Sequence, residues 1–69
     1  MITLSNITEK LAEAINSSEL SQSEIARRLG VAHQQVSRYV SGKQLPALDT
    51  LANLCVILDL DANEILCVR

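Results

Sequence analysis

An all-α domain of five helices is the fold the sequence predicts, and three observations predict it. The 69 residues make a single domain, 1–69, with no linker, repeat or low-complexity tract. Apolar residues are 48% of the chain and aromatic residues 1%, so Leu, Ile, Val and Ala must fill the interior, which suits helix-on-helix packing better than a sheet. Apolar residues also recur at three- and four-residue spacing between capping signals. A domain this small buries only about 60% of its unfolded surface, which leaves little stability in reserve.

The elements follow in chain order. Asn6, with Glu9 three residues on, is the expected cap of a first helix whose inner face is Ile7, Leu11, Ala14 and Ile15 and whose end lies near Asn16-Ser17-Ser18. Ser21-Gln22-Ser23-Glu24 reads as a capping box opening a two-turn second helix that buries Ile25, Ala26 and Leu29 and stops at Gly30. A third helix is expected from about His33 to Val40, with Val36 and Tyr39 inward and Ser41-Gly42-Lys43 closing it. Pro46 cannot lie inside a helix and Asp49 suits a first turn, so the fourth spans about Leu48 to Leu58 with a wide apolar face. The fifth opens at the box Asp61-Ala62-Asn63-Glu64 and carries Ile65 and Leu66 towards a frayed end at Arg69.

Several function classes are excluded by composition. No stretch has the ~18 consecutive apolar residues of a membrane span, and Met1-Ile2-Thr3-Leu4-Ser5 lacks the pattern of a secretory leader, so a cytoplasmic protein is expected. In that compartment the sequons Asn6-Ile7-Thr8 and Asn16-Ser17-Ser18 carry no sugar, and Cys55 and Cys67 are free thiols, Cys55 as a small core residue and Cys67 partly exposed. A lone His33 gives no metal site. Asp59-Leu60-Asp61-Ala62-Asn63 resembles the start of a calcium loop, but Glu64 stands where the loop needs Gly. No nucleophile, base and orienting group can be assembled and no glycine-rich phosphate loop exists, so neither an enzyme nor a cofactor is expected.

The net charge of −2 conceals a local basic surface. Residues 1–20 carry −2 (Glu9, Glu13 and Glu19 against Lys10) and residues 44–69 carry −3 (Asp49, Asp59, Asp61 and Glu64 against Arg69). Residues 21–43 carry +3, with Arg27, Arg28, Arg38 and Lys43 against Glu24. A local excess suffices to attract phosphate, while the acidic remainder weakens non-specific binding. Arg27 and Arg28 point about 100° apart, so one is expected in a salt bridge and the other towards solvent or a phosphate.

Ala26, Gly30 and Val36 fall in one frame between two short amphipathic helices. Ala26 is small where the helices approach, Gly30 permits the tight turn, and Val36 fills the gap from the other side. The third helix then projects His33-Gln34-Gln35 and Ser37-Arg38, a polar face that fits the major groove of DNA. Good helix formers on a solvated face are the blander account of Gln34 and Gln35.

Here the sequence resembles the lambda-repressor-like, Cro/C1-type helix-turn-helix regulators. The resemblance lies in Ser21-Gln22-Ser23-Glu24-Ile25-Ala26-Arg27-Arg28-Leu29-Gly30-Val31, Gln34-Gln35-Val36-Ser37-Arg38-Tyr39 and Ser41-Gly42-Lys43. It continues through Pro46, Leu48-Asp49-Thr50-Leu51-Ala52, Leu58-Asp59-Leu60 and Glu64-Ile65-Leu66, and so covers nearly the whole chain. It implies backbone contacts from Ser21, Gln22, Ser41 and Lys43 and base contacts from His33, Gln34, Ser37 and Arg38. It also implies a homodimeric transcriptional regulator, a phage-type repressor or controller, on a palindromic double-stranded operator in a bacterial or phage setting. With no second domain in the sequence to sense one, no small-molecule ligand is expected. Ala32 and Ala47 stand where the family usually has a polar cap, and Val40 and Val56 where it commonly has a polar or charged residue.

Two-fold binding requires a self-complementary patch away from the third helix. Val56 and Ile57 widen the fourth helix beyond what Leu51, Leu54, Cys55 and Leu58 need for the core, so Val56, Cys67 and Val68 are the expected dimer interface. A competing function is a protein-interaction module, or an antitoxin, that uses the same fold with secondary DNA binding, although 69 residues leave little room for a toxin-binding segment.

Overall fold

Capping residues and left-handed turns set the boundaries of the five helices in the computed structural model, which describes residues 1–69. The first, α1 (Leu4–Ser17), starts three residues earlier than an Asn6 cap would place it. Thr3 Oγ1 accepts from the Asn6 amide at 3.2 Å while Asn6 Oδ1 accepts from the Thr3 amide at 3.3 Å. This reciprocal box satisfies two orphan donors and places Asn6 in the first turn, where its side chain closes the Thr3 box instead of opening one with Glu9. Leu11 and Ile15 are buried, with Ile7 and Ala14 half-buried beside them.

In α2 (Gln22–Leu29) only half of the expected box forms. Ser21 Oγ accepts from the Glu24 amide at 3.1 Å, but the Glu24 carboxylate turns down the helix to Arg27 and Arg28 instead of back to the cap. Ile25 and Ala26 enter the core and Leu29 remains half-buried. Gly30, at φ +74°, ends the helix and lets the Val31 amide reach the Ala26 carbonyl at 3.0 Å.

Helix α3 (His33–Ser41) runs one residue past Val40, and no side chain caps its start at Ala32. Val36 and Tyr39 are 0% and 1% exposed. Gly42, at φ +77°, closes it in the same way as Gly30, with the Lys43 amide on the Arg38 carbonyl at 3.0 Å. A Cβ on Gly42 would stand 2.9 Å from the Thr8 methyl on α1, whereas one on Gly30 would meet nothing within 4 Å.

Helix α4 (Leu48–Leu58) has the expected bounds and only one fully buried residue, Leu54. Leu51, Cys55 and Leu58 are half-buried, and burial, with the charge of Asp61 adding to it, pushes the Cys55 thiol up from its ordinary pKa. Helix α5 (Ala62–Ile65) is a single turn capped by Asp61, whose Oδ1 accepts from the Asn63 amide at 2.9 Å. The tail beyond it is not frayed. Cys67 takes a left-handed φ of 62°, the Val68 amide returns to the Asn63 carbonyl at 3.0 Å, and Arg69 pairs with Asp61.

Both α1 and α2 pack on α3, with α5 against α1 and α4 against α2. The core is therefore Leu11, Ile15, Ile25, Ala26, Val36, Tyr39, Leu54 and Ile65, and α3 is gripped along one side only. No helix is long and apolar enough to cross a membrane.

Candidate nucleic-acid interface

The inward side of α3 is fixed by Val36 and Tyr39, so residues at other angles of the helix face outward. His33, Gln34 and Arg38 are exposed and Ser37 is half-buried. Gln34 and Arg38 are four residues apart, one above the other on the exposed side. Neither makes a side-chain hydrogen bond, and Arg38 is in no ion pair. Gln35 behaves differently, because its Nε2 donates to the Tyr39 hydroxyl at 3.3 Å and its amide is thereby turned towards the core. The i, i+4 spacing of the two residues carries that contact.

The groups expected on the DNA backbone occupy both ends of the motif. Ser21 and Gln22 stand at the start of α2, where the helix dipole and unsatisfied amides favour an anion. Ser21 Oγ accepts from Glu24 and keeps its own proton for an external acceptor. Gln22 Oε1 accepts from Ser37 Oγ at 3.0 Å, which joins the start of α2 to the middle of α3. At the other end, Lys43 is exposed and unpaired, and the Ser41 hydroxyl donates to the Arg38 carbonyl at 3.2 Å.

The expectation of one free arginine at positions 27 and 28 is not met. Glu24 holds both, with Arg27 Nε on Oε1 at 3.1 Å and Arg28 Nε on Oε2 at 2.8 Å. The three residues lie at i, i+3 and i+4, so one carboxylate serves two guanidinium groups despite their angular separation. Arg28 also borders a groove with Ser17, Ser18, Leu20, Ile57 and Asp59, at the junction of α1, α2 and the end of α4. Of the six Lys and Arg residues, Arg27, Arg28 and Arg69 are paired with carboxylates, leaving Arg38 and Lys43 as the unpaired cations of the motif.

The hydrogen bonds from Arg27, then Arg28, hold the Glu24 carboxyl at about 2, down from 4.5. Because the folded pKa is depressed, this cluster stabilises the fold above pH 4.5 and the contribution is lost as pH falls towards 2. The thermal midpoint of the wild type should therefore exceed that of Glu24→Gln near neutrality, with the gap closing between pH 4.5 and 2. A gap independent of pH would show that the pairs do not form. The groups are solvent-exposed, so added salt should narrow the gap as well.

A short α2, a left-handed turn at Gly30 and a half-exposed α3 bearing amide and guanidinium groups define a helix-turn-helix DNA-binding domain. The helix-turn-helix family of the Cro/C1 type matches residues 11–65, and the chain belongs to that family. It is thus a DNA-binding transcriptional regulator of this type. No curated protein and no solved structure significantly matches the chain.

Proposed function

We propose that the protein binds a palindromic operator as a homodimer and represses transcription, with α3 in the major groove. One observation carries the reading. The two unpaired cations of the motif, Arg38 and Lys43, and the unengaged amide of Gln34 are all exposed on or just beyond α3, while Arg27 and Arg28 share the Glu24 carboxylate and Arg69 pairs with Asp61. Arg38 matches the O6 and N7 of guanine, Gln34 matches the N6 and N7 of adenine, and His33 flanks them at the first turn. Ser21, Gln22 and Lys43 offer donors to phosphates at either end, and Ser41 joins them by giving up its bond to the Arg38 carbonyl.

Dimerisation rests on the outer face of α4 and the folded tail. Val56 is 79% and Val68 60% exposed, with Cys67 half-buried between α5 and the chain end. Leu48, 84% exposed, and the exposed Ala52 form with Val56 an i, i+4, i+8 apolar stripe along α4 that supports the same reading. That stripe is also what a protein-interaction module would use, so the two readings diverge on DNA.

Binding to a duplex selected from a random pool by the wild-type protein separates them. Arg38→Ala and Gln34→Ala should each cost about 1–3 kcal/mol and relax preference at one base position. Lys43→Ala should weaken binding to every sequence alike and reduce the slope of log affinity against log salt by about 1. Equal losses on all sequences for Arg38→Ala and Gln34→Ala would refute the base-reading roles, and failure to select any duplex would favour the interaction module.

A further inference from the structure

We infer that Ser37 is a positioning residue that fixes the carboxamide of Gln22 for a phosphate oxygen, rather than a group that reads a base. The inference rests on the proposed docking of α2 and α3 on DNA and assigns one of its polar groups a different task. Ser37 Oγ donates to Gln22 Oε1 at 3.0 Å across 15 residues of sequence. A serine hydroxyl has one proton to donate. With that proton on Gln22, Ser37 has only lone pairs left for a base edge. Gln34 and Arg38 on either side of the helix turn are exposed, whereas Ser37 is half-buried, so its short side chain lies beneath the reading surface.

The consequence for Gln22 is orientation. An amide whose oxygen is held has its plane and its χ angles set, and both Nε2 protons stay available to an acceptor outside the protein. Gln22 is the first residue of the eight-residue helix α2, so those protons and the dipole of α2 favour the same anion. The bond also joins the two helices of the motif at the edge where they meet the backbone, so α3 and the phosphate donor move as one unit. Without Ser37 the amide rotates freely, and ordering it on binding costs side-chain entropy.

The test is a double-mutant cycle with the full chain, using a duplex selected by the wild type and an unrelated duplex of equal length as probes. Ser37→Ala should weaken binding to both by the same factor, about three- to tenfold, with no change in preference among single-base variants of the selected duplex. In a Gln22→Ala background it should cost nothing further, and Ser37→Thr, which keeps the hydroxyl, should restore most of the loss. Gln22→Glu keeps an acceptor for Ser37 but places a negative charge where the donor was. It should therefore abolish binding while leaving the thermal midpoint of the free protein near that of the wild type. A changed base preference in Ser37→Ala, or a loss that adds fully to that of Gln22→Ala, would overturn the positioning role while leaving the DNA-docking reading intact. If the wild type selects no duplex, both fall together.

Discussion

Gly42→Ala should lower the thermal midpoint by about 15 °C or more, roughly twice the effect of Gly30→Ala. Both glycines have left-handed φ values, +77° and +74°, where an L-residue costs about 1–2 kcal/mol. Only Gly42 also has a neighbour in the way, since its added Cβ would lie 2.9 Å from Thr8 Cγ2. Thr8 is β-branched and sits on α1, so its methyl cannot swing aside without leaving its rotamer, and overpacking of this kind adds about 1–3 kcal/mol. In a domain of this size each kcal/mol shifts the midpoint by about 4–8 °C. Thr8→Ser removes the obstructing methyl, so in the double variant the cost of Gly42→Ala should fall to that of Gly30→Ala. Equal midpoints for the two single variants, or no recovery with Thr8→Ser, would refute the steric part of the argument.

The same comparison shows which parts of the fold are legible in the sequence. Gly30 and Gly42 mark the ends of α2 and α3 because a left-handed residue after a helix is a local requirement that few residue types meet. Asp59 and Cys67 take the same conformation at the ends of α4 and α5 and carry no such mark, which is why the folded tail reads as a frayed one. Caps are ambiguous for a related reason. Thr3 and Asn6 both suit an N-cap, and the choice depends on which pair closes a reciprocal box.

The candidate site is legible to the extent that it depends on helical spacing. Val36 and Tyr39 face inward three residues apart, and that alone turns Gln34 and Arg38 outward. Contacts among polar groups are harder to foresee. Sequence spacing admits Glu24 to either the helix cap or the two arginines, and the choice of Arg27 and Arg28 ties two guanidinium groups to one carboxylate. The bond between Ser37 and Gln22 spans 15 residues and has no spacing signal. The +3 charge of residues 21–43 is thus divided between the two unpaired cations, Arg38 and Lys43, and an Arg27–Arg28–Glu24 cluster of net +1, and an excess this small does not supply selective affinity by charge alone.

That restriction leads to the dimer, where Val56→Glu is expected to lower operator affinity by about 100-fold or more. One recognition helix touches only a few base pairs, so selective binding requires two, about 34 Å apart in successive major grooves. Joining two sites raises avidity by about 10²–10⁴ over either alone, and that factor is what a monomer loses. Val56 is 79% exposed in the single chain, so a charge there leaves the fold undisturbed, and the thermal midpoint of the dilute monomer should not move. In a two-fold interface each substitution appears twice, which sets two carboxylates against apolar surface and against each other. The variant should sediment as a monomer, bind a half-site as the wild-type monomer does, and show about half the salt slope on the full operator. A wild type that already sediments as a monomer and binds one per site, with Val56→Glu indistinguishable from it, would remove both the interface and the palindromic operator from the account.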